Sequence, residues 1–342
     1  MPCRAPLEAV GRNGEKPIIY PRGQRPRNLS EGYEALELQC GQCRGCKLEK
    51  SRVWGARIAH ECAWLWEEYN LPSVFITLTY SEKHLPIGGS LVPKHVQDFI
   101  KRLRRRIEPN KIRHYCSGEY GTQCQKHEIH DCVLCGPIQR PHYHGIIMGF
   151  GFPDRQPVGQ RDGLTVYESE LLSQLWEYGF HEIGSASFES AAYCARYVMK
   201  KQTGKPVDKG HYTRYDPWMD RWYDVDPEFA IMSTGHTCKK HRGMDYQQDC
   251  ENCSRGIGTD WAYKYLADMY PRDELPIPGR GSYGIPPKYY DQLYERIHGK
   301  AALHEIKQKR RDEFAQSLVD GPSLESRAIC QDARIDKLGR TL

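Results

Sequence analysis

Nothing in these 342 residues runs apolar for the roughly 18 positions that a bilayer-spanning helix needs. The opening Met1-Pro-Cys-Arg lacks the pattern of a secretory signal. With a mean hydropathy of -0.73, these absences lead us to expect a soluble protein of a cytoplasm, with no membrane partner. No Gly-x4-Gly-Lys-Ser/Thr is present, so there is no sign of a phosphate-cradling loop for ATP. Neither an internal repeat nor a long low-complexity linker divides the chain. The excess of basic over acidic residues is small too: a net of +5 does not by itself announce a nucleic-acid binder. The 39% hydrophobic content suffices for one large domain, or a core domain with appendages.

Cysteine, by contrast, is plentiful. Fourteen of them without a secretory signal point to metal rather than disulfides. Cys124-x2-His127-x4-Cys132-x2-Cys135 and Cys238-x2-His241-x8-Cys250-x2-Cys253 each offer three sulfurs and one imidazole, the ligand set of a tetrahedral structural Zn2+. Cys40, Cys43 and Cys46 supply three more thiols, with Cys3 the best candidate for the fourth and Cys62 the other one near. The mixed His/Cys sets lack ferredoxin spacing, which argues against iron–sulfur chemistry. Cys62, Cys116, Cys194 and Cys330 are left over and are expected as buried small hydrophobes.

The periodicity predicts helix 48–69, strand 73–80, helix 93–107, strands 111–119 and 141–149, helix 167–177, strand 179–186 and helix 188–203. From the first strand onward this is β-α-β-β-α-β plus one helix, an α+β, ferredoxin-like or RRM-like antiparallel sheet backed by helices. Segment 227–233 looks strand-like, 260–270 and 287–297 look helical, and the last forty residues read as a charged helix and tail. The expected division is an N-terminal Cys-rich segment and helix (1–70), a core (71–204) with a zinc-binding insertion at 122–139, an extension (205–300) with another at 236–255, and the tail (301–342). Such insertions are too small to build a core, and one zinc can hold each folded. Lys101, Arg102, Arg104, Arg105 and Arg106 end the second helix as either a solvated face or a phosphate-contacting patch.

Three stretches carry chemistry. In Ser73-Val-Phe-Ile-Thr-Leu-Thr-Tyr80 apolar and hydroxyl residues alternate, so Thr77 and Thr79 share a face. In Arg140-Pro-His-Tyr-His-Gly145, His142 and His144 project together from one face and could grip one divalent cation. Ala191-Ala-Tyr-Cys-Ala-Arg-Tyr197 places Tyr193 and Tyr197 four apart on a helix, followed by Lys200 and Lys201. Packing of Tyr193 against Phe188 or Trp176 is the competing reading of that tyrosine.

In this order, FITLTY, RPHYHGII and YCARYVMKK resemble the three motifs of HUH endonucleases that initiate rolling-circle replication. Together with Gly118-Glu-Tyr-Gly121, Leu175-Trp-Glu-Tyr-Gly-Phe180 and Pro286-Pro-Lys-Tyr-Tyr290, the chain resembles initiators of microviruses, of the gokushovirus group, over roughly residues 35 to 295. The resemblance implies a palm-type fold and nicking of single-stranded viral DNA at an origin. It implies tyrosine attack with a 5′-phosphotyrosine link, later rejoining, a second tyrosine for the second cut, and Lys200 and Lys201 near the scissile phosphate. Glu119 would join His142 and His144 in holding Mg2+ or Mn2+, unless it is a strand-end surface carboxylate or the 122–139 insertion shifts the register. Host helicase and polymerase would be partners, in the host cytoplasm. A relaxase or single-strand transposase of the same class, or a non-enzymatic zinc-dependent nucleic-acid-binding regulator, are the alternatives.

Overall fold

The structure is a computed structural model. It describes residues 3, 5–12, 15–121, 140–161, 163–197, 201, 210–216, 219–236, 239–241 and 255–336. The chain forms two compact units, residues 1–51 with 308–342, and residues 52–307. In the first, β1 (Leu7–Gly11) is the middle strand of an antiparallel sheet between β2 (Ile18–Tyr20) and β3 (Glu34–Leu38), with Ala9 and Val10 buried. Helix α1 (Arg44–Tyr69) begins there and continues into the second unit.

The second unit opens with β4 (Ser73–Tyr80), α2 (Pro93–Ile107), β5 (Arg113–Tyr120) and β6 (Pro141–Met148). A hairpin of β7 (Gln156–Arg161) and β8 (Leu164–Glu168) follows, then α3 (Glu170–Leu175), β9 (Gly179–Ser185) and α4 (Phe188–Tyr197). Strands β10 (Thr213–Asp216) and β11 (Arg221–Asp224) pair with each other, and β12 (Phe229–Met232) joins the main sheet. That sheet has the order β12-β5-β6-β4-β9-β8-β7, with antiparallel neighbours throughout. Its middle, β5-β6-β4-β9, is connected as β-α-β-β-α-β, so the expected α+β antiparallel sheet backed by helices is present. Beyond it lie α5 (Thr259–Arg272), α6 (Lys288–Asp320), broken at Gly299, and α7 (Leu324–Asp336). No helix among the described residues is long and apolar enough to cross a membrane.

Alternation decides which face meets which helix. Val74, Ile76, Leu78 and Tyr80 of β4 meet Tyr143 and Ile147 of β6 and the α2 stripe Val96, Phe99, Ile100, Leu103 and Ile107. Pro93 starts α2 where a missing N–H costs nothing, and the 3-1-3-4 spacing of its buried residues puts them on one side. On the other face, Tyr115, Ile146 and Met148 meet Ile58 of α1 and Ala191, Cys194 and Ala195 of α4. A third cluster joins α1 to α5 and α6 through Ala56, Trp261, Leu266, Tyr290 and Leu293.

The helix expected over 167–177 is shorter. Thr165, Val166 and Tyr167 are extended residues of β8, and the Ser169 hydroxyl accepts from Leu172 N (3.1 Å), capping α3 one residue later. The β7–β8 hairpin and the β1–β3 sheet have no counterpart in the sequence reading. Cys116 and Cys194 are buried and Cys62 is partly so, but Cys330, expected inside, is exposed on α7.

Candidate functional site

β5 and β6 form a hairpin whose register survives the segment between them. Glu119 lies directly across from His142, Ser117 from His144, and Gly121 N donates to Arg140 O at the end where the two strands are connected (3.1 Å). With a side-chain period of two, Glu119, His142 and His144 therefore share one face, the one under α4. Gly145 between His144 and Ile146 is needed because a Cβ there would come within 2.8 Å of Cys116 Sγ.

The two imidazoles converge. His142 Nε2 and His144 Nε2 lie 2.6 and 3.2 Å from Glu119 Oε1, while their Nδ1 atoms lie 3.2 Å from Arg140 O and 3.1 Å from Thr77 Oγ1. Each Nε2–H donates to Glu119 Oε1, and a shared cation at this point would displace those protons, with Nδ1–H of each ring then directed at its neighbouring oxygen, an arrangement common around metal-ligating histidines. The three donor atoms lie within 4.8 Å of one another. One carboxylate oxygen and two imidazole nitrogens suit one divalent cation with coordination positions open for substrate oxygens. Glu119 is 3% exposed. Burial works to raise its carboxyl, but the hydrogen bonds and charge of His142 and His144 outweigh burial and hold it well below the usual carboxylate range.

Tyr193 projects from α4 toward this cluster. Its ring centroid is 5.3 Å from that of His144, edge-on at 69°, and 6.2 Å from that of Phe75, which stacks on His144 at 5.6 Å. The Arg196 guanidinium is 5.8 Å from the Tyr193 ring. Phe188 instead meets Tyr283, and Trp176 lies with Tyr80 and Tyr143 beneath the opposite face. Tyr197 is one helical turn beyond Tyr193; its side chain, like Lys200, lies outside the described residues, and Lys201 is exposed. Phe75 and Arg196 were not singled out from sequence, although each carried a signal: Phe75 two residues before Thr77 on a strand, Arg196 three after Tyr193 on a helix.

The basic stretch of α2 is on the other side of the sheet from these residues. Arg102 donates through Nε and Nη2 to Leu175 O (3.1 and 2.9 Å) and pairs with Glu177, satisfying the C-terminal end of α3. Lys101 pairs with Asp98 at 3.4 Å, and Arg104 lies 3.4 Å from His114 Nδ1. Arg105 and Arg106 are exposed.

In the first unit, Cys3, Cys40, Cys43 and Cys46 gather with their sulfurs within 4.8 Å of one another. Cys43 Sγ is 3.9 Å from Cys3 Sγ and Cys40 Sγ is 4.0 Å from Cys46 Sγ, far longer than a disulfide. Four thiolates at about 2.3 Å from a tetrahedral Zn2+ would stand about 3.8 Å apart, so the set fits that metal. Burial, then hydrogen bonds from neighbouring thiols, push the Cys46 thiol up. Of the other two sets, Cys124, His127, Cys132, Cys135, Cys238, Cys250 and Cys253 lie outside the described residues; His241 ends a short 3-10 turn, Lys239–His241.

Residues 73–202, which include β4, the Glu119/His142/His144 cluster and Tyr193, match the family model for replication-associated protein ORF2/G2P. The replication-associated protein ORF2 of Spiroplasma virus 4 is 31% identical over 345 residues, covering 96% of this chain and 91% of that protein. The replication-associated protein VP4 of Bdellovibrio phage phiMH2K is 27% identical over 87% of this chain and 78% of its own length. For the replication-associated protein ORF4 of Chlamydia phage 1 the values are 28%, 78% and 57%. No solved structure matches the chain. On this similarity, the chain belongs to the family of replication-associated proteins of Microviridae phages.

Proposed function

We propose that this protein initiates phage replication by nicking single-stranded viral DNA at an origin through metal-dependent tyrosine attack. The observation that carries the proposal is the convergence of Glu119 Oε1, His142 Nε2 and His144 Nε2 beside the Tyr193 ring, 5.3 Å from His144. In this reading the sheet is the palm of an HUH endonuclease.

A divalent cation at these three residues, Mg2+ or Mn2+, would polarise the scissile phosphate and stabilise charge on it. Thr77 and the Arg140 carbonyl hold the two imidazoles in orientation. A tyrosine phenol has an ordinary pKa near 10 and must lose its proton to attack. Its oxygen then bonds to phosphorus as the bond to the leaving 3′ oxygen breaks, giving a 5′-phosphotyrosine and a 3′-hydroxyl that primes synthesis. Reversal by a 3′-hydroxyl rejoins the strand without ATP. One of Tyr193 and Tyr197 makes the first cut and the other the second, and Lys200 and Lys201 are assigned the neutralisation of phosphate charge. Structural Zn2+ is assigned to Cys3, Cys40, Cys43 and Cys46 and to the two Cys/His sets. A host helicase and polymerase would complete the cycle in the host cytoplasm.

Incubation with viral single strands and Mn2+ or Mg2+ should yield a protein–DNA band that survives denaturation. A chelator should remove it, and His144→Ala or Glu119→Gln should reduce it by at least about 100-fold with the fold retained. Undiminished adduct in both variants would contradict the metal site. Absence of adduct in the wild type, with specific binding intact, would favour the non-enzymatic regulator.

A further inference from the structure

We infer that Phe180 is a stacking platform for an unpaired nucleobase near the scissile phosphate, an assignment that rests on the nicking role proposed above. The register carries it. Glu119 pairs with His142, His142 with Thr79, and Thr79 with Phe180, so one row crosses β5, β6, β4 and β9 on the face that bears the candidate metal centre. His181 and Ile183 alternate to the opposite, buried face, which fixes Phe180, Glu182 and Gly184 on this one. At two strand spacings, Phe180 stands about 10 Å from His142 along the sheet.

Phe180 is 68% exposed in the body of a strand, although its strand neighbour His181 is buried. α1 and α4 cover this face at β5 and β6, and the β4–β9 part carries the half-buried hydroxyls of Thr77 and Thr79 beside the exposed ring. The carboxylate on the same stretch is neutralised: Arg161 Nη1 and Nη2 donate to Glu182 Oε2 and Oε1 at 2.7 and 2.8 Å. Phosphates approaching the row thus meet no uncompensated charge at Glu182, and the Arg161 side chain is itself largely exposed. An exposed ring, hydroxyls and a compensated acid, continuous with a phosphate-directed centre, fit a single strand whose bases lie on the sheet. Duplex DNA keeps its bases stacked on each other and offers no free base face to such a ring.

The test is the affinity of the full chain, with no Mg2+ or Mn2+ added so that no cutting occurs, for a fluorescent viral-strand oligonucleotide and for an abasic strand of equal length. Phe180→Ala should weaken binding of the base-bearing strand roughly 5- to 100-fold and leave the abasic strand unchanged. Phe180→Trp should restore the affinity. Equal affinity of wild type and Phe180→Ala for the base-bearing strand would overturn the inference. So would equal losses on both strands. The covalent-adduct assay is separate: its failure would reject nicking, while the binding comparison still decides the role of Phe180.

Discussion

The hydroxyl of Thr77, 3.1 Å from His144 Nδ1, settles which ring nitrogen faces Glu119. Thr77→Val keeps the shape and removes that partner. The metal concentration for half-maximal nicking should then rise about 10- to 100-fold, with near-normal rate at saturating metal and unchanged thermal stability. An unaltered metal requirement would remove Thr77 from the site. For the tyrosines, Tyr193→Phe and Tyr197→Phe should each retain some covalent nicking but fail to transfer strands at a second origin, and the double variant should form no adduct. A purely structural Tyr193 would instead leave Tyr193→Phe as active as wild type in both assays. The pairing of His142 with His144 was legible because strand alternation is local. The approach of Tyr193 to His144, some fifty residues apart in sequence, was not, because it depends on how α4 crosses the sheet.

Elements were most legible where one face is buried: β4 and α2 have the boundaries that periodicity assigns, because both bury an alternating or stepped apolar face. β7 is exposed along its whole length, so no apolar alternation marked it. The joint of α1, α5 and α6 rests on His60, which stacks on Trp261 at 3.6 Å and lies 2.8 Å from the Tyr290 hydroxyl and 2.7 Å from Pro276 O. Burial pushes its imidazole down to about 3, against an opposing hydrogen bond to Pro276 and with Arg57 adding to the drop; burial likewise takes His114 to about 4. The unfolded chain takes up these protons near 6.5, so it binds more protons than the folded one below that pH. Stability should therefore fall as pH drops from about 6.5 toward 4, by about 1.4 kcal/mol per pH unit per histidine. Denaturant melts across that range check this, and His60→Gln should flatten the slope. An unchanged slope would show that His60 is not the group responsible.

Among the described residues, the small first unit has few buried apolar side chains to hold it, and four gathered thiols are a natural staple. Elemental analysis of purified protein, after weakly held metal is removed, should find at least two zinc atoms per chain. Cys46→Ser should lower the count by one and speed hydrogen exchange in β1–β3. A zinc-free preparation that is fully folded would reject the assignment. The Cys-x2-Cys-x2-Cys spacing was readable, and Cys3 as the fourth member was a choice between distant residues that chain spacing alone left open. The proposed nicking rests on a tyrosine beside the histidine pair taking the DNA. The most direct measurement is mass-spectrometric mapping of the peptide that carries nucleotide after digestion of the denatured adduct. Nicking by this route puts the modification on Tyr193 or Tyr197; nucleotide on any other residue, or an adduct unchanged in the double phenylalanine variant, would rule it out.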